Sequence, residues 1–326
     1  MISPQEFAAL TYEEQTARLR VLGEIALLQL DLEWEEMKLL AHFENTSFYI
    51  RTTGGEQFNL RISRPGQQTK TTLQSEIDLL DALRTAGFRV PEPFRNQVVD
   101  VECDEVPEVR HVVLFRWMHG EFLRDKLTPS EAPLIGQVMA RLHEFTERWQ
   151  RPANFERSDL HAWALTERKP SRIDRAIEGL PEEDRLFLLD LEKQGRDLIQ
   201  SLPRTPATFG LIHSDLHVGN LLLENGHLNV IDFDDAGFGF LYYDFGAALG
   251  FHLLDPLYVP IRDAILSGYE EVRPLPPNTG ELLDAFVNVR MNGVSRWIMD
   301  RVDNPMLKEI GPSWVRGFCQ GMRMLH

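Results

Sequence analysis

The chain has two cysteines in 326 residues, Cys103 and Cys319, far apart and at no metal-ligand spacing. That excludes a disulfide framework and leaves two incidental thiols of a reducing compartment. Basic residues are also scarce: 34 Lys and Arg stand against 50 Asp and Glu, an excess of 16 negative charges. This balance argues against broad electrostatic binding to nucleic acid or to an anionic membrane surface. No apolar run approaches the roughly 18 residues needed to span a bilayer, and the stretch MISPQEFAALTYEEQ lacks a basic region followed by an apolar one. A cytoplasmic protein is expected. No internal repeat and no low-complexity segment occurs.

What is present is material for a core. Apolar residues make up 43% of a chain long enough for two domains or one large one. Thr11-x-x-Glu14 reads as a capping box, and Leu19, Leu22 and Ala26 follow at helical spacing, which predicts a helix over about residues 12–30. The runs NTSFYIRT and EQFNLRIS flank Gly54-Gly55 and predict an antiparallel hairpin. Leu73, Ile77, Leu80 and Leu83 then form a helical stripe that Gly87 ends, and VPEPF breaks the helix. HVVLFRWM reads as a buried strand, with Gly120 loosening the chain after it. Helical patterns dominate beyond, notably APLIGQVMARLHEFTERW and EEDRLFLLDLEKQGRDLIQSL. The expected organisation is a small sheet-bearing part over residues 1–118 and a larger, mainly helical part over 119–326.

The chemistry concentrates in LIHSDLHVGNLLLENGHLNVIDFDD, Leu211 to Asp235. His213, Asp215 and Asn220 fit HxDxxxxN with Leu216 directly after the aspartate, the spacing of a kinase catalytic loop. Two apolar runs, NLLL and LNVIDF, are joined by a turn at Glu224-Asn225-Gly226, and Asp232 follows Asn220 by 12 residues, at the end of the second run. Transfer of the γ-phosphoryl of ATP needs a carboxylate to orient the acceptor hydroxyl and oxygen ligands to hold Mg2+. Asp215 suits the first role, and Asn220 with Asp232 the second. Two other readings stay open on the residues alone. Asp and Asn favour turns, so the motif can be solvated loop. His213, Asp215 and His217 alternate and would share one side of an extended zinc site, although zinc leaves Asn220 unexplained.

The same stretch, continued through NVIDFDDAGFGFLYYDFGAAL, resembles the aminoglycoside phosphotransferase and choline kinase superfamily, with the bacterial homoserine-kinase-like branch nearest. ENTSFYI, LRISRPG, LQSEIDLLDALRTAGFRVPEPF, LFRWMHGE and IGQVMARLHEFT resemble further segments of that family, in its order. The resemblance implies an α+β, two-lobed protein-kinase-like fold with a small antiparallel-sheet N-lobe and a larger mainly helical C-lobe. It also implies ATP- and Mg2+-dependent phosphorylation of a hydroxyl on a small molecule.

By that resemblance His213 supports the catalytic loop, and Asp232 is the metal aspartate. The literal letters DFG at Asp244-Phe245-Gly246 are then a decoy, and Asp244 caps a helix or braces the loop. A phosphate-holding cation is implied on the second hairpin strand, where this chain has Arg61 instead of the family's frequent lysine. Glu76, a carboxylate on an apolar helix face, is its natural partner. Asn45, Thr46 and Ser47 of ENTS stand at the phosphate loop, offering amides and hydroxyls. LFRWMHG resembles the interlobe hinge, so main-chain groups near Arg116 and Met118 would contact adenine, with Phe115 and Trp117 around it.

The acceptor is expected against C-terminal helices, with Arg290, Arg296 and Trp297 as candidates beside Asp234, Asp235 and Asp255. The arginines favour an acidic acceptor and the aspartates an amine, which a zwitterion such as homoserine combines. A protein serine/threonine kinase and a catalytically silent nucleotide-binding protein are the competing functions. Only 12 residues separate Asp232 from Asp244, with no APE-like end, which leaves little platform for a peptide. Arg61 alone hints at a silent protein.

Overall fold

In a computed structural model, which describes every residue except Met1, Glu44, Gln67, Lys126, 167–176, Asp303 and His326, the capping box at Thr11 is made. Thr11 Oγ1 accepts the Glu14 N–H at 3.2 Å, and Glu14 reaches back to the Thr11 N–H at 2.8 Å. Helix α2, Tyr12–Gln29, follows and buries Leu19, Leu22, Ala26 and Leu27. A short helix α1, Pro4–Ala8, precedes it on a second box, Ser3 with Glu6. The α2 face packs on a five-stranded antiparallel sheet of order β1-β2-β3-β5-β4. Its strands are β1 Trp34–His42, β2 Thr46–Thr52, β3 Gln57–Ile62, β4 Pro93–Val101 and β5 Arg110–Arg116.

The expected hairpin is β2–β3, with Gly55 at φ +83° in its turn. Its register pairs Phe48 with Leu60 and Ile50 with Phe58, all buried. Helix α3, Lys70–Thr85, buries the expected leucine stripe. Gly87, at φ +85°, lets the Phe88 N–H return to the Leu83 carbonyl at 3.0 Å. Strands β1 and β4 have no counterpart in the sequence reading. These elements, residues Met1–His119 with Arg151–Glu156, form one compact unit; Gly120–Gln150 with Arg157–His326 form a second.

The second unit is mainly helical. Helix α4, Ala132–Arg148, lies against the Tyr258–Glu270 helix, and two glycines permit the approach. A Cβ at Gly136 would sit 2.0 Å from the Ile265 carbonyl oxygen, and one at Gly268 2.1 Å from that of Pro133. The Thr279–Asp300 helix packs on the Tyr242–Gly250 helix, and the Glu182–Ser201 and Pro305–Arg323 helices pack against it in turn. Two small sheets complete the unit: β6 (Glu121–Phe122) with β8 (Leu221–Glu224) and β9 (His227–Val230), and β7 (Phe209–Ile212) with β10 (Gly237–Phe240). The β8–β9 turn places Asn225 at φ +51° and Gly226 at φ +77°, as a two-residue hairpin of primed type requires. No helix of the described residues is long and apolar enough to cross a membrane.

His161 is fully buried among the rings of Phe240, Tyr243 and Phe286, and neither ring nitrogen has a hydrogen-bond partner among the described residues. Burial brings its imidazole down to about 4, with Asp159 opposing and Arg204 adding to the shift.

Two outcomes follow from this packing. Gly136→Val forces the two helices apart and lowers unfolding free energy by about 3 kcal/mol, whereas Gly280→Ala, with open space at its Cβ, changes it by less than about 0.5 kcal/mol in denaturant titration. Between pH 6.5 and 4 the unfolded chain binds a proton that folded His161 refuses, so stability falls as pH drops through this window. The loss is on the order of 3 kcal/mol, and His161→Phe flattens that part of the pH–stability curve.

Candidate active site

Strand β7 delivers the chain into the loop His213–Asn220. Ser214 there sits at φ +69°, a conformation costly for a residue with a Cβ. Asp244 sustains it. Its Oδ1 accepts the Ser214 N–H at 2.6 Å and its Oδ2 the His213 N–H at 3.1 Å. His143 Nε2 lies 3.0 Å from the same Oδ2, and His143 Nδ1 lies 3.0 Å from the Tyr269 hydroxyl. Asp244 and His143 side chains are fully buried. Asp244 stands in the first turn of the Tyr242–Gly250 helix, which has no side-chain cap, so of its two expected roles it braces the loop.

His213 extends the frame. Its Nδ1 accepts the Asp215 N–H at 3.3 Å, and its Nε2 lies 3.1 Å from the Ile231 carbonyl, so the proton sits on Nε2. Burial lowers its pKa against the pull of Asp244 and Asp215, which keeps the ring neutral. Both nitrogens are committed within the protein, and among the described residues no three His, Cys, Asp or Glu side chains gather as a metal site. The zinc reading of the alternating residues has no support in this geometry.

Asp215 is enclosed by donors. Asn220 Nδ2 donates to the Asp215 carbonyl at 2.9 Å and to its Oδ2 at 2.8 Å, while Arg290, on the Thr279–Asp300 helix, donates to Oδ1. His217 Nε2 is 3.5 Å from Oδ2, and its Nδ1 accepts the Gly219 N–H at 2.9 Å. Burial alone would raise the Asp215 carboxyl; the Arg290 guanidinium and then His217 hold it well below the usual carboxylate range.

The Asn220 carbonyl accepts the Ile231 N–H at 3.0 Å, continuing the β8–β9 register of Leu221 with Val230. The hairpin therefore closes the 12-residue gap between Asn220 and Asp232. With its amide nitrogen spent on Asp215, Asn220 keeps Oδ1 as an oxygen with no hydrogen bond among the described residues. Asp232 itself is exposed at φ +66°. An amide oxygen and a carboxylate at adjoining strand ends form a donor set for a hard cation that keeps much of its water. Asp234 is buried. Asp235 is exposed in its surface yet crowded enough that desolvation, then the charges of Asp215 and Asp234, raise its carboxyl to about 6.

In the other unit, Arg61 and Glu76 meet as a fork, Nη1 to Oε1 at 2.9 Å and Nη2 to Oε2 at 2.5 Å, both side chains buried. The guanidinium lies 5.0 Å over the Phe115 ring. Asn45 precedes β2, but Thr46 and Ser47 open the strand instead of lying in a loop, and the buried Thr46 hydroxyl is 2.7 Å from His42 Nδ1. Glu44 of the same ENTS segment lies outside the described residues. The Arg116 N–H is spent on the Glu92 carbonyl at 2.8 Å, whereas the Met118 N–H makes no hydrogen bond among the described residues.

Of the acceptor candidates, Arg290 joins Asp215, Trp297 carries the Arg301 guanidinium 4.8 Å over its ring, and Arg296 pairs with Glu192 at 2.7 Å. Asp255 receives the Leu257 N–H at 2.8 Å. His143 and Tyr269 were missed by sequence reasoning, because each reads as an ordinary position on a helix. Asp244→Ala strands two buried main-chain N–H groups and is expected to cost about 3 kcal/mol in thermal or chemical unfolding, against about 1 for Tyr269→Phe.

The phosphotransferase enzyme family profile matches residues 36–276. An uncharacterized protein of Synechocystis is 26% identical over 70% of this chain and 63% of its own length. A homoserine kinase of Polaromonas naphthalenivorans is 28% identical over 86% of this chain and 84% of its own. Among solved structures, a microcompartment-associated aminopropanol kinase superposes with a TM-score of 0.77 at 29% identity, covering 91% of this chain and 95% of that one. An amicoumacin kinase solved with AMP-PNP and Ca2+ superposes at 0.76, with 19% identity over 96% of both chains. With residues 36–276 matched and the same two-part α+β architecture as these kinases, the chain belongs to the phosphotransferase enzyme family and has its protein-kinase-like fold.

Proposed function

We propose that this protein is an ATP- and Mg2+-dependent kinase that phosphorylates the hydroxyl of a small amino alcohol or amino acid. The observation that carries the reading is one hairpin, β8–β9, which sets Asn220 beside Ile231-Asp232 while Asn220 also fixes the Asp215 carboxylate. Asp215 accepts the acceptor's hydroxyl hydrogen bond and points its oxygen at the phosphoryl group. A carboxylate held so far below its usual range is a weak base, which suits a loose transition state in which the proton leaves late. Asn220 Oδ1 and the Asp232 carboxylate would hold Mg2+, which offsets phosphate charge when it arrives with ATP.

Arg61, oriented by Glu76, supplies the phosphate-facing cation of the N-terminal unit, with Asn45, Thr46 and Ser47 at the entry to β2, the strand that pairs with its own. Phe115 and the Met118 amide, which makes no hydrogen bond among the described residues, serve adenine. Asp234, Asp235, Arg290 and Trp297 are assigned to the acceptor. The aminopropanol kinase and homoserine kinase relatives are named for short compounds that carry both an amine and a hydroxyl, in keeping with adjacent acidic and basic groups. A peptide acceptor is disfavoured because the segment after Asp232 is consumed by a turn and by β10, whose Gly237 pairs with Ile212 of β7.

Three variants test this. ATP should raise the melting temperature of the wild type further when Mg2+ is added, and Asp232→Ala should lose that increment. Asp215→Asn should keep it and lose about 10^3-fold in kcat on homoserine or aminopropanol. Asp244→Asn should keep its Mg2+ affinity while melting lower. A wild type with no Mg2+ increment and no turnover on any amino-hydroxyl compound rejects the proposal.

A further inference from the structure

Asp232 opens a tight turn, Phe233–Ala236, that carries two more carboxylates, and the way its backbone is held points to a residue outside the motif. Arg157 is buried at 9% exposure, and its guanidinium faces main-chain oxygens. Its Nε donates to the Ala236 carbonyl, and its Nη2 to those of Phe233, at 2.9 Å, and Asp234. The remaining carbonyl, that of Asp235, accepts the Ser214 hydroxyl at 2.7 Å. All four successive carbonyls thus receive a side-chain donor. The residues after Arg157 run along the other side of the turn. Ser158 O accepts the Phe238 N–H at 2.8 Å, Phe238 O accepts the Leu160 N–H at 2.9 Å, and Asp159 is tied to Arg204. A Cβ at Gly237 would lie 2.7 Å from Ser158 O, so this close pass depends on glycine.

Three carboxylates in four residues, Asp232, Asp234 and Asp235, repel one another, and an unrestrained turn would spread them apart. Arg157 counters this from behind with a planar fork and a positive charge, and that charge is among the forces that lower the Asp235 carboxyl against its overall rise. Lysine cannot substitute, because one ammonium on a flexible stem does not span three carbonyls that diverge around a turn.

We infer that Arg157 is a positioning residue: it clamps the turn so that Asp232 and the acceptor-facing aspartates are set before metal and substrate arrive. The clamp's consequence for metal rests on the function proposed above; the clamp itself does not.

Hydrogen exchange of the full chain separates the two. In Arg157→Lys and Arg157→Gly, amides of Phe233–Phe238 should exchange at least about tenfold faster, with those of Ala132–Arg148 unchanged. The Mg2+ concentration giving half of the ATP-induced thermal increment should rise about tenfold, with the metal-free nucleotide shift unaltered. Millimolar guanidinium, but not urea, should restore the Gly variant toward wild type and leave the Lys variant as it was. Ser214→Ala removes one of the four hydrogen bonds and should give the same pattern at smaller amplitude, which keeps the test open if the Arg157 variants fold poorly. Wild-type exchange in the Lys variant overturns the clamp, and a loosened turn with an unchanged Mg2+ midpoint overturns its positioning role for the metal. A wild type with no Mg2+ increment defeats the proposed function instead, and exchange with guanidinium rescue still decides the clamp.

Discussion

Asp244 is fully buried, and a carboxylate is tolerable there only if donors fill its oxygens. Those donors are two consecutive main-chain N–H groups, at His213 and Ser214, and the imidazole of His143. The arrangement forces Ser214 into left-handed backbone, which turns the chain so that Asp215 and Asn220 follow in place. His213 then passes the constraint to the Ile231 carbonyl, and Asn220 takes the Ile231 N–H. Both main-chain groups of Ile231, the residue before Asp232, are thereby tied to the His213–Asn220 loop. Loop and hairpin form one framework whose anchor lies on a helix and touches no reacting group.

This explains which parts were legible in the sequence. The β8–β9 hairpin was readable because Asn225-Gly226 demands positive φ and the flanking runs are apolar. The α3 stripe and Gly87 were equally local signals. Strand β1 left no pattern because it is an edge strand in which Met37 is the sole buried residue. Strand β4 was hidden by its own irregularity: Arg95 and Asn96 are left-handed, and the register shifts between Pro93 and Val98. Arg157 could not be found, since its partners are carbonyls 76 to 79 residues away and any sequence supplies carbonyls. Asp244 was assignable by resemblance, yet its partners His143 and Tyr269 lie on helices whose close approach depends on Gly136 and Gly268, a tertiary contact with no local signal.

In the N-terminal unit the departure from lysine to arginine is accommodated by geometry. Glu76 offers two oxygens in a plane, and Arg61 meets them with two nitrogens, an arrangement an ammonium cannot reproduce. The guanidinium is further held over Phe115. A fork held by two parallel hydrogen bonds to Glu76 fixes the plane of the guanidinium, so the orientation of this cation is specified by the protein itself. Arginine therefore keeps charge and gains rigidity at the cost of reach.

Two carboxylates of the C-terminal unit are pushed in opposite directions by their surroundings. Asp215, with Arg290, Asn220 and His217 around it, stays ionised at any physiological pH. Asp235 is raised to about 6, first by desolvation and then by the charges of Asp215 and Asp234, with Arg290 and Arg157 as weaker counterweights. Separated environments of this kind divide the labour between like groups. In the proposed reaction, Asp215 is the constant element: Asn220 and Arg290 fix its direction, and Arg290 with His217 keeps it charged. Asp235 is the adjustable one, because a cationic amine on the acceptor would offset the neighbouring negative charges and draw its raised carboxyl back down. An ammonium group on the acceptor would relieve the part of that rise that comes from Asp215 and Asp234, while the part that comes from desolvation stays.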